Sequence, residues 1–292
     1  MHAQPYKASG GLLASFPYVL AALAPFGAGT ILANVAGFPV RWEVFLAGAL
    51  ALAALILTAL GSRLLYAPTT GRWPGQGLLS PAGAQTLVYA GVALAAVIGV
   101  MLQFWVRTGD WTIPLGGVGL LGGYFYFGPP FRWQQRGWGE VVGGLCFGLL
   151  PVAAGFYLQT GHLITEGLLY GLPLTFSGFN LFLVHGFPNP EEEEPGPRQT
   201  LAARVSPVAG ALIFTLANIL TITGLVVALL FPANPLPFQT GFILLIILAV
   251  VNQELIKKKA YRREARIKLL CRLTLAQHLA MGLVYIFSLW QR

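Results

Sequence analysis

The run EVFLAGALALAALILTALGSRLLY (residues 43–66) sets the fold class of this chain. It has no charged side chain between Glu43 and Arg63. A helix needs about 20 apolar residues to cross the hydrocarbon core of a bilayer, so this run is long enough to span a membrane. Comparable runs recur along the chain and predict nine spanning helices. They lie at residues 12–37, 43–66, 84–106, 112–128, 140–159, 164–186, 207–231, 239–256 and 270–289.

The composition excludes the common classes of soluble protein. Of the 292 residues, 56% are hydrophobic and 10% are charged, whereas an ordinary soluble domain is about one quarter charged. A disordered chain would need low hydrophobicity and high charge. The sequence therefore predicts an all-α polytopic membrane protein, placed as a multi-pass protein in the inner (plasma) membrane. No soluble domain fits between two predicted spans, so we expect one transmembrane domain over residues 1–292.

The basic residues predict the orientation. With nine spans and a cytoplasmic N-terminus, 15 of the 18 Lys and Arg residues fall in cytoplasmic segments, as the positive-inside rule requires. The C-terminus would then lie outside. Residues 254–272, ELIKKKAYRREARIKLLCR, contribute most of the net charge of +8. They form either a topology signal that contacts lipid headgroups or a docking surface for an acidic partner or anionic substrate. Nucleic acid is not expected, because no soluble recognition module accompanies the segment.

Two polar stretches follow apolar runs on the predicted cytoplasmic side. They are YFYFGPPFRWQQRGWGE (residues 124–140) and HGFPNPEEEEPGPRQTLAAR (residues 185–204). Together they bring aromatic, Arg and carboxylate side chains to helix ends that face one compartment. This combination predicts the mouth of a cavity for an amphiphile with an anionic head. The aromatic run at 124–127 is also typical of interfacial packing, and the Glu run at 191–194 of a solvated loop.

The same stretches resemble motifs of the UbiA-type superfamily of intramembrane aromatic prenyltransferases, in its menaquinone branch. The first is similar to YTGGPYPLKYRGLGE at Tyr126, Gly128, Pro130, Arg136, Gly137, Gly139 and Glu140. The second is similar to NEFPDYEADRAAGKRTLAVRLG at Phe187, Pro188, Glu191, Thr200, Leu201, Ala202 and Arg204. Residues 71–81, GRWPGQGLLSP, resemble the family segment before helix three. The resemblance implies a nine-helix bundle that binds a prenyl diphosphate through Mg²⁺ held by two Asp-rich motifs.

Both Asp-rich motifs are degenerate in this chain. The first should lie near residues 59–72, ALGSRLLYAPTTGR, which contain no carboxylate. In the second, His185, Asn189 and Glu193 stand where the family has Asn, Asp and Asp. Gln134 replaces the Lys of the helix-four motif. A diphosphate is a poor leaving group until its charge is neutralised, and Mg²⁺ requires carboxylate oxygens. These losses therefore oppose catalysis by the family's mechanism.

The resemblance implies a lipid cavity that opens at the cytoplasmic ends of helices two, four and six. Its expected lining residues are Tyr124, Tyr126, Gln134, Arg136, Asn180, His185, Asn189 and Arg198. Four of these, Tyr126, Arg136, His185 and Asn189, should surround one opening. If Mg²⁺ is used, its expected ligands are Glu191, Glu193 and Glu194, and no catalytic residue is assigned. In the last span, His278 is either a ligand of a chlorin magnesium or a helix–helix contact.

The missing carboxylates favour a non-catalytic relative that needs no cofactor. Such a protein would bind an isoprenoid, for example a quinone or chlorophyll-type pigment, or serve as a structural subunit beside other membrane subunits. The alternative is an active polyprenyltransferase, with Mg²⁺, that attaches a prenyl chain to an aromatic acceptor in menaquinone-type quinone or chlorophyll biosynthesis. A transporter is not favoured, because neither ionisable residues at mid-membrane depth nor internal repeats are evident.

Overall fold

The described part of the chain is entirely helical, which confirms the predicted fold class. The structure is a computed structural model and describes residues 16–66, 79–163, 166–187, 200–230 and 236–290. Across these ranges the helices are α1 (Phe16–Val35), α2 (Trp42–Tyr66), α3 (Pro81–Val100), α4 (Thr112–Phe127), α5 (Trp133–Arg136), α6 (Gly139–Phe147), α7 (Leu149–Thr160), α8 (Glu166–His185), α9 (Leu201–Arg204), α10 (Pro207–Leu230), α11 (Leu236–Lys257) and α12 (Glu264–Trp290). A π-helical turn, Met101–Trp105, extends α3.

Seven helical segments within these ranges are long and apolar enough to cross a membrane. They are α1, α2, α3 with its π-helical turn, α6 with α7, α10, α11 and α12. The two other predicted spans, 112–128 and 164–186, correspond to α4 and α8. Since α4 has only 16 residues, it is shorter than an ordinary span. The chain is thus an integral multi-pass membrane protein, and the count of nine spans stays a prediction.

The predicted span 140–159 is interrupted at Gly148, which separates α6 from α7. The break leaves the first amide of α7 without a carbonyl in the preceding turn. Thr175 on α8 resolves this, because its Oγ1 accepts a hydrogen bond of 2.9 Å from the amide of Leu149. In hydrocarbon such a group needs a partner inside the protein. The close approach of α8 to Gly148 provides that partner.

The helices pack through small residues and buried amides. A Cβ at Gly155 of α7 would clash with the carbonyl oxygen of Phe26 on α1, so only glycine permits this spacing. Between α10 and α11, the amide of Asn218 donates to the Ala249 carbonyl at 2.9 Å. Between α11 and α12, Asn252 donates to Gln277 at 2.7 Å. Both are typical ways of joining helices in lipid, where the hydrophobic effect does not hold them together.

The fully buried His278 lies at a helix–helix contact. Its Nε2 is 3.2 Å from the carbonyl oxygen of Ala21 on α1, and a Cβ at Gly178 of α8 would lie 3.5 Å from its Cε1. The ring is therefore enclosed by α1 and α8. This is the second of the two roles that the sequence allowed for His278.

Two sets of contacts define the ends of the bundle. At one end, which we call the site end, Tyr18 contacts His185, Arg204 donates to the carbonyl of Gln135, and Phe187 stacks on Tyr261. At the opposite end the main-chain amide of Arg41 donates to Gln159, and its guanidinium donates to the Val106 carbonyl. Trp42 lies beside Trp290 there. The basic segment around Tyr261 is therefore at the site end, and Arg107 follows Val106 at the other.

The side of the membrane that the site end faces stays a prediction, and labelling tests it. On a background with Cys146 and Cys271 replaced by serine, Arg262→Cys should react with a membrane-impermeant maleimide only after the cells are opened. Arg107→Cys should react in intact cells, because the positive-inside rule places position 262 in the cytoplasm. Labelling of both positions from the same side would contradict the orientation.

Candidate functional site

A cavity of about 650 Å³ runs through the bundle between α1, α2, α3, α4, α6, α7 and α8. This volume lies within the range of small-molecule sites, about 300–1,000 Å³. One face of α2 lines the cavity at Gly48, Leu52, Leu55, Ala59 and Arg63. Because helical residues three or four apart share a face, these positions form a continuous stripe. It is about 22 Å long at the helical rise and carries its one charge at the site end.

A hydrogen-bonded pair joins the first helix to α8 at the site end. The Tyr18 hydroxyl is 3.1 Å from Nε2 of His185, and Nδ1 of His185 is 2.7 Å from the carbonyl oxygen of Leu181. A carbonyl only accepts, so Nδ1 donates. In the neutral ring Nε2 is therefore the acceptor and Tyr18 the donor. Both side chains line the cavity.

Glu140 is a buried carboxylate on the cavity wall, 2% exposed. Its Oε1 accepts a 2.9 Å hydrogen bond from the main-chain amide of Leu201, the first residue of α9. Its Oε2 is buried and has no hydrogen-bond partner among the described residues. Gln134 is also on the cavity wall, and its Oε1 is likewise buried without a hydrogen-bond partner among the described residues. Two residues of the cavity wall thus each carry a buried acceptor oxygen without a described partner.

Thr200 connects this wall to α8. Its hydroxyl donates to the Gly186 carbonyl at 2.7 Å and accepts from the amide of Ala203 at 3.2 Å, which caps α9. A Cβ at Gly186 would lie 3.0 Å from Oγ1 of Thr200 and 3.2 Å from Oε1 of Glu140. Gly186 therefore allows Thr200 and Glu140 to approach the end of α8.

The turn between α4 and α6 carries Gln134 to the cavity. It requires left-handed backbone at Arg132 (φ 46°) and Gly137 (φ 79°), and α5 lies between them. Two guanidinium groups hold its outer side, since Arg204 donates to the Gln135 carbonyl at 2.7 Å and Arg136 to the Pro130 carbonyl at 3.1 Å. The Arg and Gly residues of this motif thus shape the turn.

Of the residues predicted for the cavity, Tyr126, Gln134 and His185 line it. Tyr124 points towards α2, where its hydroxyl is 3.4 Å from that of Tyr66. Arg136 is exposed and lies outside the lining. Asn180 is buried against α10, where it donates to the Phe214 carbonyl at 3.2 Å. The remaining predicted residues lie outside the described ranges. They are Asn189, Glu191, Glu193, Glu194 and Arg198.

The lining also contains many residues that were not among the predicted ones, and these include Tyr18, Arg63, Glu140 and Thr200. Three of these four could have been recognised in the sequence. Glu140 and Thr200 match the resembled motifs, and Arg63 is the charge that ends the uncharged run 44–62. No local signal marks Tyr18, because its partner His185 is 167 residues away.

A group of three or more His, Cys, Asp or Glu side chains that could hold a metal ion does not occur among residues for which the structure gives a position. Glu140 is the carboxylate that reaches the cavity from this part of the chain. The predicted ligands Glu191, Glu193 and Glu194 belong to a segment outside it, so the proposed metal site stays a prediction.

Comparison with known protein families identifies the family to which this chain belongs. The family described as "UbiA prenyltransferase family" matches residues 68–276. The chain belongs to the UbiA prenyltransferase family. This confirms the resemblance seen in the sequence, and the match contains both polar stretches.

Two curated relatives place this UbiA-family chain near the naphthoate prenyltransferases. It is 33% identical over 129 residues to a 2-carboxy-1,4-naphthoquinone phytyltransferase of Synechocystis sp., an alignment that covers 42% of this chain and 40% of the relative. It is 28% identical over 116 residues to a 1,4-dihydroxy-2-naphthoate octaprenyltransferase of Bacillus subtilis, covering 40% and 37% respectively. The chain thus aligns over about two fifths of the length of these relatives.

Solved structures of UbiA homologues share the fold. The apo homologue from Aeropyrum pernix K1 superimposes with a TM-score of 0.68 at 14% identity, covering 92% of this chain and 97% of the homologue. A homologue from Archaeoglobus fulgidus bound to GPP and Mg²⁺ superimposes with a TM-score of 0.54 at 14% identity, covering 93% and 97%. At this identity the likeness establishes the fold alone.

The contact between Glu140 and α9 generates a stability prediction. Glu140→Ala removes the acceptor for the Leu201 amide, and loss of such a cap costs about 1 kcal/mol. The Tm of the detergent-purified protein should fall by about 2–4 °C. Glu140→Gln keeps an oxygen acceptor at the same place and should remain within about 1 °C of the parent. If the two variants lost the same amount, the cap would not be the stabilising contact.

Proposed function

We propose that this protein is a membrane prenyltransferase that transfers a prenyl group from its diphosphate to a naphthoate-type aromatic acceptor. The observation that supports this most directly is the cavity, which has a long apolar stripe and one polar end. The names of both curated relatives describe this class of reaction. They favour the enzyme alternative over the non-catalytic interpretation that the degenerate motifs suggested.

The shape of the cavity suits an amphiphilic donor. The stripe on α2 offers about 22 Å of apolar wall, enough for several isoprene units, and burial of each CH₂ contributes about 0.8 kcal/mol. Leu102 and Leu158 lie at the far end of the lining, and Tyr18, Tyr126 and His185 at the site end. A prenyl tail would therefore lie along the bundle and present its diphosphate at the site end.

The reaction requires one bond to break and one to form. The C–O bond of the allylic carbon breaks, and pyrophosphate leaves with the electron pair. The allylic carbon then forms a C–C bond to the aromatic ring. The ring becomes aromatic again by losing a proton, or carbon dioxide where the attacked carbon carries a carboxylate. Enclosure by apolar side chains keeps water from the allylic cation.

Two unpaired oxygens of the cavity wall suit the aromatic acceptor. Oε2 of Glu140 and Oε1 of Gln134 are buried acceptors without a partner in the described chain. An aromatic diol has two hydroxyl donors, and a hydrogen bond to each would orient the ring. Leaving such acceptors unpaired costs about 1–3 kcal/mol each, so an acceptor with hydroxyl groups is preferred over one without.

Mg²⁺, when bound, would neutralise the diphosphate so that it can leave. Glu191, Glu193 and Glu194 are our candidate ligands, because carboxylate oxygens are what Mg²⁺ prefers. We place the reaction at the cytoplasmic face of the plasma membrane, with residues 1–292 as one transmembrane domain. Membrane lipid surrounds the exposed faces, where Leu46 and Leu244 are each 64% exposed.

A second candidate is an isoprenoid-binding protein without catalysis. The observation in its favour is that α2 brings no carboxylate to the cavity, since the chain has none between Glu43 and Asp110. Such a protein would use the same cavity for a quinone or pigment tail, alone or with other membrane subunits. Both candidates predict that the cavity binds an isoprenoid, but only the first predicts turnover.

Turnover by the purified full chain tests the proposal. The protein in lipid nanodiscs receives 1,4-dihydroxy-2-naphthoate, geranylgeranyl diphosphate and Mg²⁺, and mass spectrometry follows the prenylated product and released pyrophosphate. We expect both products in equal amounts. Binding of geranylgeranyl diphosphate without either product would favour the non-catalytic candidate and refute the proposed activity.

The length of the donor tail gives a further prediction. A Cβ at Gly116 would have no atom within 4 Å, and Gly116 lines the cavity ten residues, or about 15 Å, from Tyr126. Gly116→Phe should therefore fill the tail path without disturbing the fold. The kcat/KM ratio for geranylgeranyl over dimethylallyl diphosphate should fall by at least about 10-fold.

The matched control for this prediction is Val118→Phe. Val118 is on the same helix, is 55% exposed and points away from the cavity. It should leave the chain-length ratio unchanged. An equal change in both variants would mean that the tail does not follow the stripe.

A further inference from the structure

The α2 wall of the cavity does not fit a magnesium site. Mg²⁺ is held by hard oxygen ligands, usually carboxylates, and this wall contains none. At the site end of α2, Ser62 donates to the Tyr124 carbonyl at 3.0 Å, and the Tyr66 hydroxyl lies 3.4 Å from that of Tyr124. Both oxygens are thus directed at α4. The side chain that α2 gives to the cavity there is Arg63.

The Arg63 guanidinium lacks a counter-ion in the described structure. Ion pairs among the described residues join Arg41 to Glu43, Lys257 to Glu254 and Lys268 to Glu264. Arg63 makes no ion pair or hydrogen bond with those residues, and Glu140 across the cavity is beyond ion-pair distance. Its side chain is exposed and lies on the cavity wall, so the anionic group of a ligand can reach it. The cavity therefore favours a ligand with a negative group at this position.

Three aromatic side chains share the cavity lining with Arg63. Arg63 is close enough to act electrostatically on Tyr18, Tyr126 and His185. All four residues line the site end of the cavity. The charge thus lies at the same end of the cavity as these side chains, at the end of the stripe that would hold the tail.

We propose that Arg63 binds the diphosphate of the prenyl donor directly and takes the place of the metal-binding carboxylates that α2 lacks. A guanidinium donates two parallel hydrogen bonds to phosphate oxygens, and it remains charged at all physiological pH values. The α2 wall then neutralises the leaving group without a metal ion. This inference rests on the proposed function for the identity of the donor.

Binding in the presence of EDTA tests the inference without requiring turnover. The probe is geranylgeranyl thiolodiphosphate, which keeps the charge and tail but does not react, and its affinity for the purified full chain is measured by tryptophan fluorescence. Arg63→Gln should weaken binding by about 10- to 100-fold. Arg63→Lys keeps the charge but cannot donate two parallel hydrogen bonds. Its affinity for the probe should therefore lie between that of the parent and that of Arg63→Gln.

Two controls separate the head from the tail and from general charge. Arg262→Gln removes an exposed positive charge at the same end and should bind the probe like the parent. Geranylgeraniol, which has the tail without the diphosphate, should bind the parent and Arg63→Gln equally. The Tm of each variant shows whether it is folded.

The outcomes distinguish the inference from the proposed function. Equal binding of the probe to the parent and to Arg63→Gln would refute the role of Arg63, and so would a parent that binds only when Mg²⁺ is added. A third outcome is that the parent binds the probe but shows no turnover, whereas Arg63→Gln does not bind it. This outcome would support the role of Arg63 and refute the proposed prenyl transfer.

Discussion

Every polar group that this chain carries into the bilayer must find a partner inside the protein, because hydrocarbon supplies none. That constraint explains why the helices of the described chain follow one another closely. It also explains why main-chain amides freed at a helix break or start find side-chain acceptors nearby. Where α6 stops at Gly148, Thr175 of the neighbouring helix receives the free amide. Where α9 begins, Glu140 and Thr200 accept hydrogen bonds from two of its main-chain amides.

The same constraint gives the cavity its meaning. Oε2 of Glu140 and Oε1 of Gln134 are two of seven buried side-chain atoms without a hydrogen-bond partner among the described residues, and the other five lie outside the cavity lining. The Arg63 guanidinium is exposed and has no counter-ion among the described residues. All three line one cavity. A ligand with hydroxyl donors and an anionic group would satisfy them together, which is the chemistry of an aromatic acceptor and a prenyl diphosphate.

The sequence predicted the fold more completely than the site. Long uncharged runs such as 44–62 need only length and hydropathy to be recognised, because burial in lipid acts on each span separately. The motif residues Tyr126, Gln134 and His185 reached the cavity because the family fold brings those helix ends together. Arg136 and Asn180 lie outside the cavity lining. Arg136 instead holds a turn and Asn180 joins two helices, and a sequence does not distinguish these roles from ligand binding. Gly148 could not be recognised as a helix break, because the side chain that accepts from the freed amide is a threonine on another helix.

The pairing of Tyr18 with His185 has a consequence for how the protein is made. These residues are 167 positions apart, so the first helix enters the membrane long before its partner leaves the ribosome. Until α8 is inserted, the cavity lacks one of its walls. A partly synthesised chain can therefore not enclose a ligand, and binding has to wait until most of the polypeptide is in place.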